Sequence, residues 1–237
     1  MVSARTTMKT VVFDKKEYRL FSFDDDFQRC FIGIPLDLKP GKYSIKCGKE
    51  TTEFLVINDT APSEAITISG MGKIDEKLAQ EQHRKMLKSI AGISEKKLWS
   101  GRFIRPVEGR VTTDFGTKRT VNKQTKGWHK GVDLASNTGV PIKTPAGGKV
   151  LMAEELIGSG NSVVVDHGLG IVSVYFHMSS IKAKPGQVVR PGDTLGLVGS
   201  TGFSTGPHLH WGVYVFGTSV DPFIFMKSDY FIGLRKK

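Results

Sequence analysis

Along residues 10–68, short apolar runs alternate with polar turns, at 11–13, 18–23, 30–34, 43–47, 53–57 and 65–68. Runs of that length, bounded by Gly, Pro and Asp, predict a small β-sandwich-like accessory domain. The period changes between Lys73 and Ala91, where Ile74, Leu78, Met86 and Ile90 recur at multiples of four with Ala79 and Leu87 beside them. That spacing lines one face of a helix, so residues 69–100 read as a helical linker that packs on one of its neighbours. Strand-like runs return from 101 to 225, punctuated by Pro145-Ala-Gly-Gly148, His167-Gly-Leu-Gly170 and Lys184-Pro-Gly-Gln187. The expected fold class is mainly β: an accessory domain at 10–68, the linker, a second all-β domain at 101–225 and a tail at 226–237.

Composition supports this picture, since 27 glycines and 14 phenylalanines in 237 residues favour short strands and tight turns over a helix bundle. No apolar run approaches the roughly 18 residues needed to span a bilayer, and residues 1–9 lack the apolar centre of a signal peptide. The chain as written therefore carries no address: either it stays inside the cell, or a targeting segment is removed. The net charge of +11 lies wholly in residues 69–237, because residues 1–68 hold 10 basic and 10 acidic side chains. A basic surface attracts polyanions, among them nucleic acid, anionic lipid and acidic cell-wall polymer, or serves solubility alone. Nucleic acid is not the expected partner, because no recognition-helix, zinc-finger or aromatic RNA-binding signature is present.

Cys30 and Cys47 flank two strand-like runs joined by Lys39-Pro-Gly-Lys42, and a hairpin there would bring them opposite each other. A disulfide and a pair of reduced thiols both fit that arrangement.

The chemistry concentrates in three strings: Gly-Trp-His129-Lys-Gly-Val-Asp133, Tyr175-Phe-His177 and Gly-Pro-His208-Leu-His210-Trp. Catalytic zinc takes three protein ligands and keeps a fourth position for water, a count that His129, Asp133 and one of His208 and His210 satisfy. Residues two apart on a strand share a face, so His208 and His210 project into one groove. The remaining histidines suit proton transfer and oxyanion stabilisation. No serine stands in a nucleophile-elbow sequence, and the cysteines lie in the part without histidine. Of the other histidines, His83 reads as a surface residue of the helix and His167 as a turn residue. Trp128, Phe203 and Trp211 either wall the groove or pack the core.

These strings, with Asp114-Phe-Gly116, Val163-Val-Val-Asp-His-Gly168, Pro191-Gly-Asp193 and Gly199-Ser-Thr-Gly202, resemble the lysostaphin-type (LytM-like) zinc endopeptidases of bacterial cell walls, across roughly residues 101–225. The resemblance implies an antiparallel sheet with a narrow groove. It implies one Zn2+ per chain held by His129, Asp133 and His210, with His177 and His208 polarising the water and stabilising the transition state. The implied activity is hydrolysis of an amide bond in peptidoglycan peptide stems or cross-links. A β module followed by a helix resembles the periplasmic enzymes of Gram-negative bacteria, and that resemblance favours the D-alanyl-diaminopimelate cross-link and a periplasmic or cell-envelope location. The alternative is a non-catalytic or autoinhibited wall-binding module that activates a partner hydrolase; autoinhibition by residues 1–98 would show as a gain of activity on their deletion. One departure stands out: some relatives place a tyrosine shortly before the first zinc histidine, whereas Arg119 to Gly127 contains none, and Lys118, Arg119 or Lys123 would supply that positive end.

Overall fold

The computed structural model describes residues 2–4, 8–22, 28–57, 61–67, 75–91 and 94–227, with backbone alone for 2–4 and 124–126. The expected helix start at 73–74, the strand end at 68 and most of the tail at 226–237 fall outside those residues. Its centre is an eight-stranded antiparallel sheet. Strands run across it in the order Val188–Val189, Gly148–Leu156, Gly160–Gly168, Ile171–Met178, His208–Val215, Val132–Ala135 and Val111–Thr113, and Thr218–Val220 also pairs with His208–Val215.

Alternation along these strands sorts the side chains. Val163, Val165, Tyr175, Leu209, Trp211 and Val213 point to one side, into the largest apolar cluster. Met152, Val164, Val172, Val174 and Tyr214 point to the other, where Met86 and Ile90 of the helix Glu76–Ala91 cover them. The helix starts where it does because the Asp75 carboxylate accepts from the Leu78 amide at 3.0 Å, an N-cap that satisfies an otherwise free donor. Of the expected apolar stripe Met86 and Ile90 are buried, whereas Leu78 and Leu87 are exposed. Gln82 and Lys85 complete the docking: the Ile157 amide donates to Gln82 Oε1 at 2.8 Å, and Lys85 pairs with Glu154 at 2.8 Å.

His167 lies at the end of Gly160–Gly168, fully buried, and serves the core. Its Nδ1–H donates to the Gly147 carbonyl at 2.8 Å, so Nε2 accepts from Ser173 Oγ at 2.7 Å, which is in turn 2.7 Å from the Tyr175 hydroxyl. Burial pushes this imidazole from 6.5 down to about 4. An unfolded chain takes up that proton near pH 6.5 and the folded chain refuses it until about pH 4, so stability is lost as pH falls through this window. The slope contributed by this one group reaches ~1.4 kcal/mol per pH unit. Urea midpoints of the protein and of His167→Gln between pH 7 and 4 check this: the variant's profile is expected to be flatter, and parallel profiles would rule it out.

The N-terminal part holds a four-stranded sheet ordered Lys16–Arg19, Thr10–Phe13, Gly41–Cys47 and Glu50–Val56, and a three-stranded one ordered Val2–Ala4, Gln28–Cys30 and Phe21–Ser22. The expected Cys30–Cys47 hairpin does not form, because Gln28–Cys30 and Gly41–Cys47 enter different sheets, and both cysteines are free. Val11, Phe13, Tyr18 and Leu20 make the local core, which Phe216 joins from the far end of the chain. Phe21 and Phe31 enter the large cluster beside Trp99 and Phe103. A second difference concerns the run at 65–68 expected to complete the sandwich: its described part belongs to the strand Ser63–Ile66, which leaves these sheets and pairs in parallel with Lys118–Val121 of the hairpin ahead of His129.

Candidate metal centre

His210 lies opposite Asp133 in one antiparallel pair and opposite Phe176 in the other. Directly paired residues share a sheet face, so the carboxylate and imidazole meet on the side of the sheet that carries the helix, where Met86 and His210 line one cavity. His208, two residues earlier, projects beside them. His129 precedes Val132–Ala135 and closes onto the pair because position 131 is glycine: a β-carbon there would stand 2.5 Å from the Trp211 carbonyl oxygen and 2.8 Å from His210 Nε2. Gly131→Ala is therefore expected to displace His210 and weaken zinc binding about 10- to 100-fold. Zinc titration against a competing chelator measures this, and unchanged affinity would refute it.

The three atoms that could hold a metal ion form a tight triangle. His129 Nε2 is 3.0 Å from Asp133 Oδ1 and 2.9 Å from His210 Nδ1, which is itself 2.9 Å from Asp133 Oδ1. The His129 Nδ1–H donates to the Asp114 carbonyl at 2.9 Å, so Nε2 turns a lone pair toward the other two atoms. Buried donors gathered in this way repel one another unless a cation sits among them. Two imidazoles and one carboxylate are the donor set of a catalytic zinc site, and the carbonyl behind His129 is the orienting partner such a ligand needs. Burial works against charge on Asp133, yet when the His129 and His210 rings are protonated, the hydrogen bonds they donate and their charges hold its carboxyl well below the usual carboxylate range.

His177 and His208 flank the triangle, their ring centres 4.7 Å apart. Each has its tautomer set by a backbone carbonyl: Nδ1–H of His177 donates to Thr201 and that of His208 to Gly206, both at 2.8 Å, leaving each Nε2 as an acceptor. His208 Nε2 lies 3.8 Å from Asp133 Oδ1. Burial, followed by the proximity of His208 and His210, pushes His177 down to about 3, so it is neutral at physiological pH. Simple alternation would send His177 to the Tyr175 side of the sheet. A bulge prevents this: Val163 pairs with Tyr175 and Asn161 with Met178, and the extra residue takes up φ of 63° at His177.

Two cavities flank this group, of about 380 and 480 Å3, and Arg119 and His177 line both. The first adds Glu64 and Thr113; the second is walled by Gln82, His83 and Met86 of the helix, with Trp128. Phe176 stacks on His210 at 5.1 Å. Of the three candidate cations, Arg119 turns in, its Nη2 2.5 Å from Asp133 Oδ2. Lys118 lies over the Trp128 ring, and Lys123 is exposed in the turn. Of the other basic residues of this loop, Lys130 is exposed and the Lys126 side chain lies outside the described residues. Trp211 belongs to the core, while Phe203 and Trp128 border the cavities. His83 is exposed, as expected, but at the rim of the second cavity. Sequence reasoning did not find Glu64, Thr113 or Phe176; of these only Phe176, beside His177, carried a local signal. A cavity of about 730 Å3 bordered by Lys96, Trp99, Lys149 and Arg190 is larger, but among the described residues no cluster of three or more metal-ligating side chains lies there.

Residues 127–222 match the family model described as Peptidase family M23. A crystal structure of a peptidase M23 protein from Pseudomonas aeruginosa is 30% identical, covers 92% of this chain and 86% of its own, and superposes with a TM-score of 0.71. The DD-carboxypeptidase/endopeptidase Mpg of Neisseria meningitidis is 36% identical over 113 residues, 48% of this chain and 26% of that protein. The peptidoglycan DD-endopeptidase ShyA of Vibrio cholerae is 39% identical over 114 residues, 47% of this chain and 26% of that protein. The matched stretches thus span about a quarter of these two curated relatives' length. With the His-Asp-His triangle in place and similarity running through nearly the whole length of the Pseudomonas structure, the chain belongs to peptidase family M23, a family of zinc metallopeptidases.

Proposed function

We propose that this chain is a peptidoglycan hydrolase of the cell envelope, a zinc endopeptidase that cleaves an amide bond in wall peptide stems or cross-links. The observation that carries this reading is the buried His129, Asp133 and His210 triangle with the Nε2 atoms of His177 and His208 left free as acceptors beside it. The DD-endopeptidase names of the relatives support a D,D bond, and the D-alanyl-diaminopimelate cross-link is the favoured substrate. Among the described residues no helix is long and apolar enough to cross a membrane.

His129, Asp133 and His210 would hold the zinc. Zinc supplies Lewis acidity, polarising the scissile carbonyl and lowering the pKa of the attacking water to about 7. His177, neutral because it is buried, accepts a hydrogen bond from that water. Whichever of His177 and His208 takes up the water's proton becomes a donor at Nε2, suited to the developing oxyanion or the leaving amine. The carbonyls of Thr201 and Gly206 keep both rings in the tautomer this requires.

The test is zinc content together with digestion of purified peptidoglycan, the products identified by mass spectrometry of muropeptides. One zinc per chain and cleaved cross-links, lost in His129→Ala, are expected. Stoichiometric zinc without turnover would favour the wall-binding alternative, although all five chemical positions are filled here. Autoinhibition by the N-terminal part is a further element of the proposal, supported by Ser63–Ile66 standing at the groove. Deleting residues 1–98 is a poor probe of it, because that removes Phe21, Phe31, Met86 and Ile90 from shared clusters. A single substitution at the groove is cleaner.

A further inference from the structure

Arg119 connects two carboxylates of different standing. Its Nη2 donates to Asp133 Oδ2 and its Nε to Glu64 Oε1, both at 2.5 Å, and the Thr113 hydroxyl donates to Glu64 Oε2 at 3.2 Å. Asp133 is a ligand of the metal centre, whereas Glu64 comes from the N-terminal part on Ser63–Ile66. The guanidinium and the hydroxyl together make a built carboxylate site inside the groove. Among the described residues lining the 380 Å3 cavity, Arg119 is the one lysine or arginine.

The strand that delivers Glu64 is extended and lightly held. It pairs in parallel with Lys118–Val121, Glu64 opposite Arg119, and the ladder is flanked by Lys118 N to Pro62 O at 2.9 Å and Asn122 N to Ile66 O at 3.0 Å. None of its four residues is buried and none joins an apolar cluster. Backbone pairing, one ion pair and the Thr113 hydrogen bond therefore hold it, with little hydrophobic burial to retain it. Glu64 and Ile66, on the same side of the strand, both line the cavity that His177 and His208 line. An extended peptide lying along an open strand edge, with alternate side chains in pockets, is how β-augmentation recognises ligands.

We propose that Arg119 is the groove's recognition residue for a free substrate carboxylate, and that Ser63–Ile66 lies in the path of the substrate peptide, Glu64 holding the place of its carboxylate. This rests on the peptidoglycan reading, since wall peptide stems are extended and carry free carboxylates. A stem peptide that pairs with Lys118–Val121 displaces Ser63–Ile66 and satisfies the same Nε–H and Thr113 hydroxyl. Substrate binding and opening of the groove are then one exchange of carboxylates on Arg119.

The experiment compares synthetic cross-linked stems that differ only in whether their carboxylates are free or amidated. The zinc-loaded protein is expected to prefer the free acid about 10- to 100-fold in kcat/KM, as a charge-assisted hydrogen bond would give. Arg119→Gln abolishes the preference by raising KM for the free acid, with zinc content measured alongside; Arg119→Lys retains part of it. Glu64→Gln lowers KM for the free acid. A second readout is independent of turnover: hydrogen exchange of the zinc-loaded protein with a saturating free-acid tetrapeptide stem that has no cross-link. Exchange in residues 61–67 is expected to accelerate while 118–122 stays protected, and the amidated stem is expected to have no such effect. Equal cleavage of acid and amide, or exchange in 61–67 indifferent to the acid stem, would overturn the proposal and leave the hydrolase reading intact. Acid-dependent exchange without turnover of any substrate would support it and sink that reading instead.

Discussion

Asp133→Asn is expected to abolish peptidoglycan cleavage at ordinary zinc concentrations, by loss of metal and with the fold retained. The Asp133 carboxylate is the one formal negative charge in the proposed ligand triangle, and Oδ1 lies within 3.0 Å of His129 Nε2 and His210 Nδ1. An amide oxygen is a weaker donor to zinc, and the amide's N–H2 would face the Arg119 guanidinium in place of an acceptor. Loss of an outer-shell partner typically costs about 10- to 100-fold in affinity, and loss of a charged ligand is expected to exceed that. Zinc titration against a chelator, with activity followed in the same samples, gives the answer. Excess zinc is expected to restore activity only as far as it restores occupancy. Tight stoichiometric zinc in Asp133→Asn would remove Asp133 from the ligand set.

His177→Ala is expected to behave oppositely: zinc retained, and kcat lowered about 10²- to 10⁴-fold, the range for a positioned acid or base. The Thr201 carbonyl loses its donor, but no ligand atom is touched. A large fall in KM-independent rate at full zinc occupancy would place His177 in the proton path; unchanged kcat would leave His208 to act alone. The backbone adds a separate prediction. At φ of 63°, a residue with a β-carbon is strained and glycine is not. His177→Gly is therefore expected to unfold at higher urea than His177→Ala, by about 1 kcal/mol, an ordering that would reverse if this turn were unstrained.

Much of the site was legible because its signals are local. His208 and His210 share a face by alternation alone, and His129, Asp133 and one of that pair meet the ligand count of a catalytic zinc, the full assignment coming from the family resemblance. Strand-like runs and the helix near 76–91 followed from periodicity. Less legible was the partner of each element. The run ending near Ile66 has the same pattern whether it closes a sandwich or lies beside Lys118–Val121, since period two specifies a strand but not its neighbour. Likewise, Lys118, Arg119 and Lys123 are equivalent as text. Trp128 takes one, solvent another, and only the pairing with Glu64 and Asp133 directs the third into the groove.

The order of residues by itself determined the donor types, their strings and the mainly β character, because each depends on neighbours within a few positions. Tertiary structure decided the rest. The bulge that turns His177 toward the metal centre comes from strand pairing with Gly160–Gly168, and the carbonyls that set each tautomer come from loops that approach only in the folded chain. The carboxylate shared through Arg119 comes from a strand 55 residues away in the chain. Such contacts arise from pairing register and packing across distant segments, and no local pattern encodes which distant group will meet which.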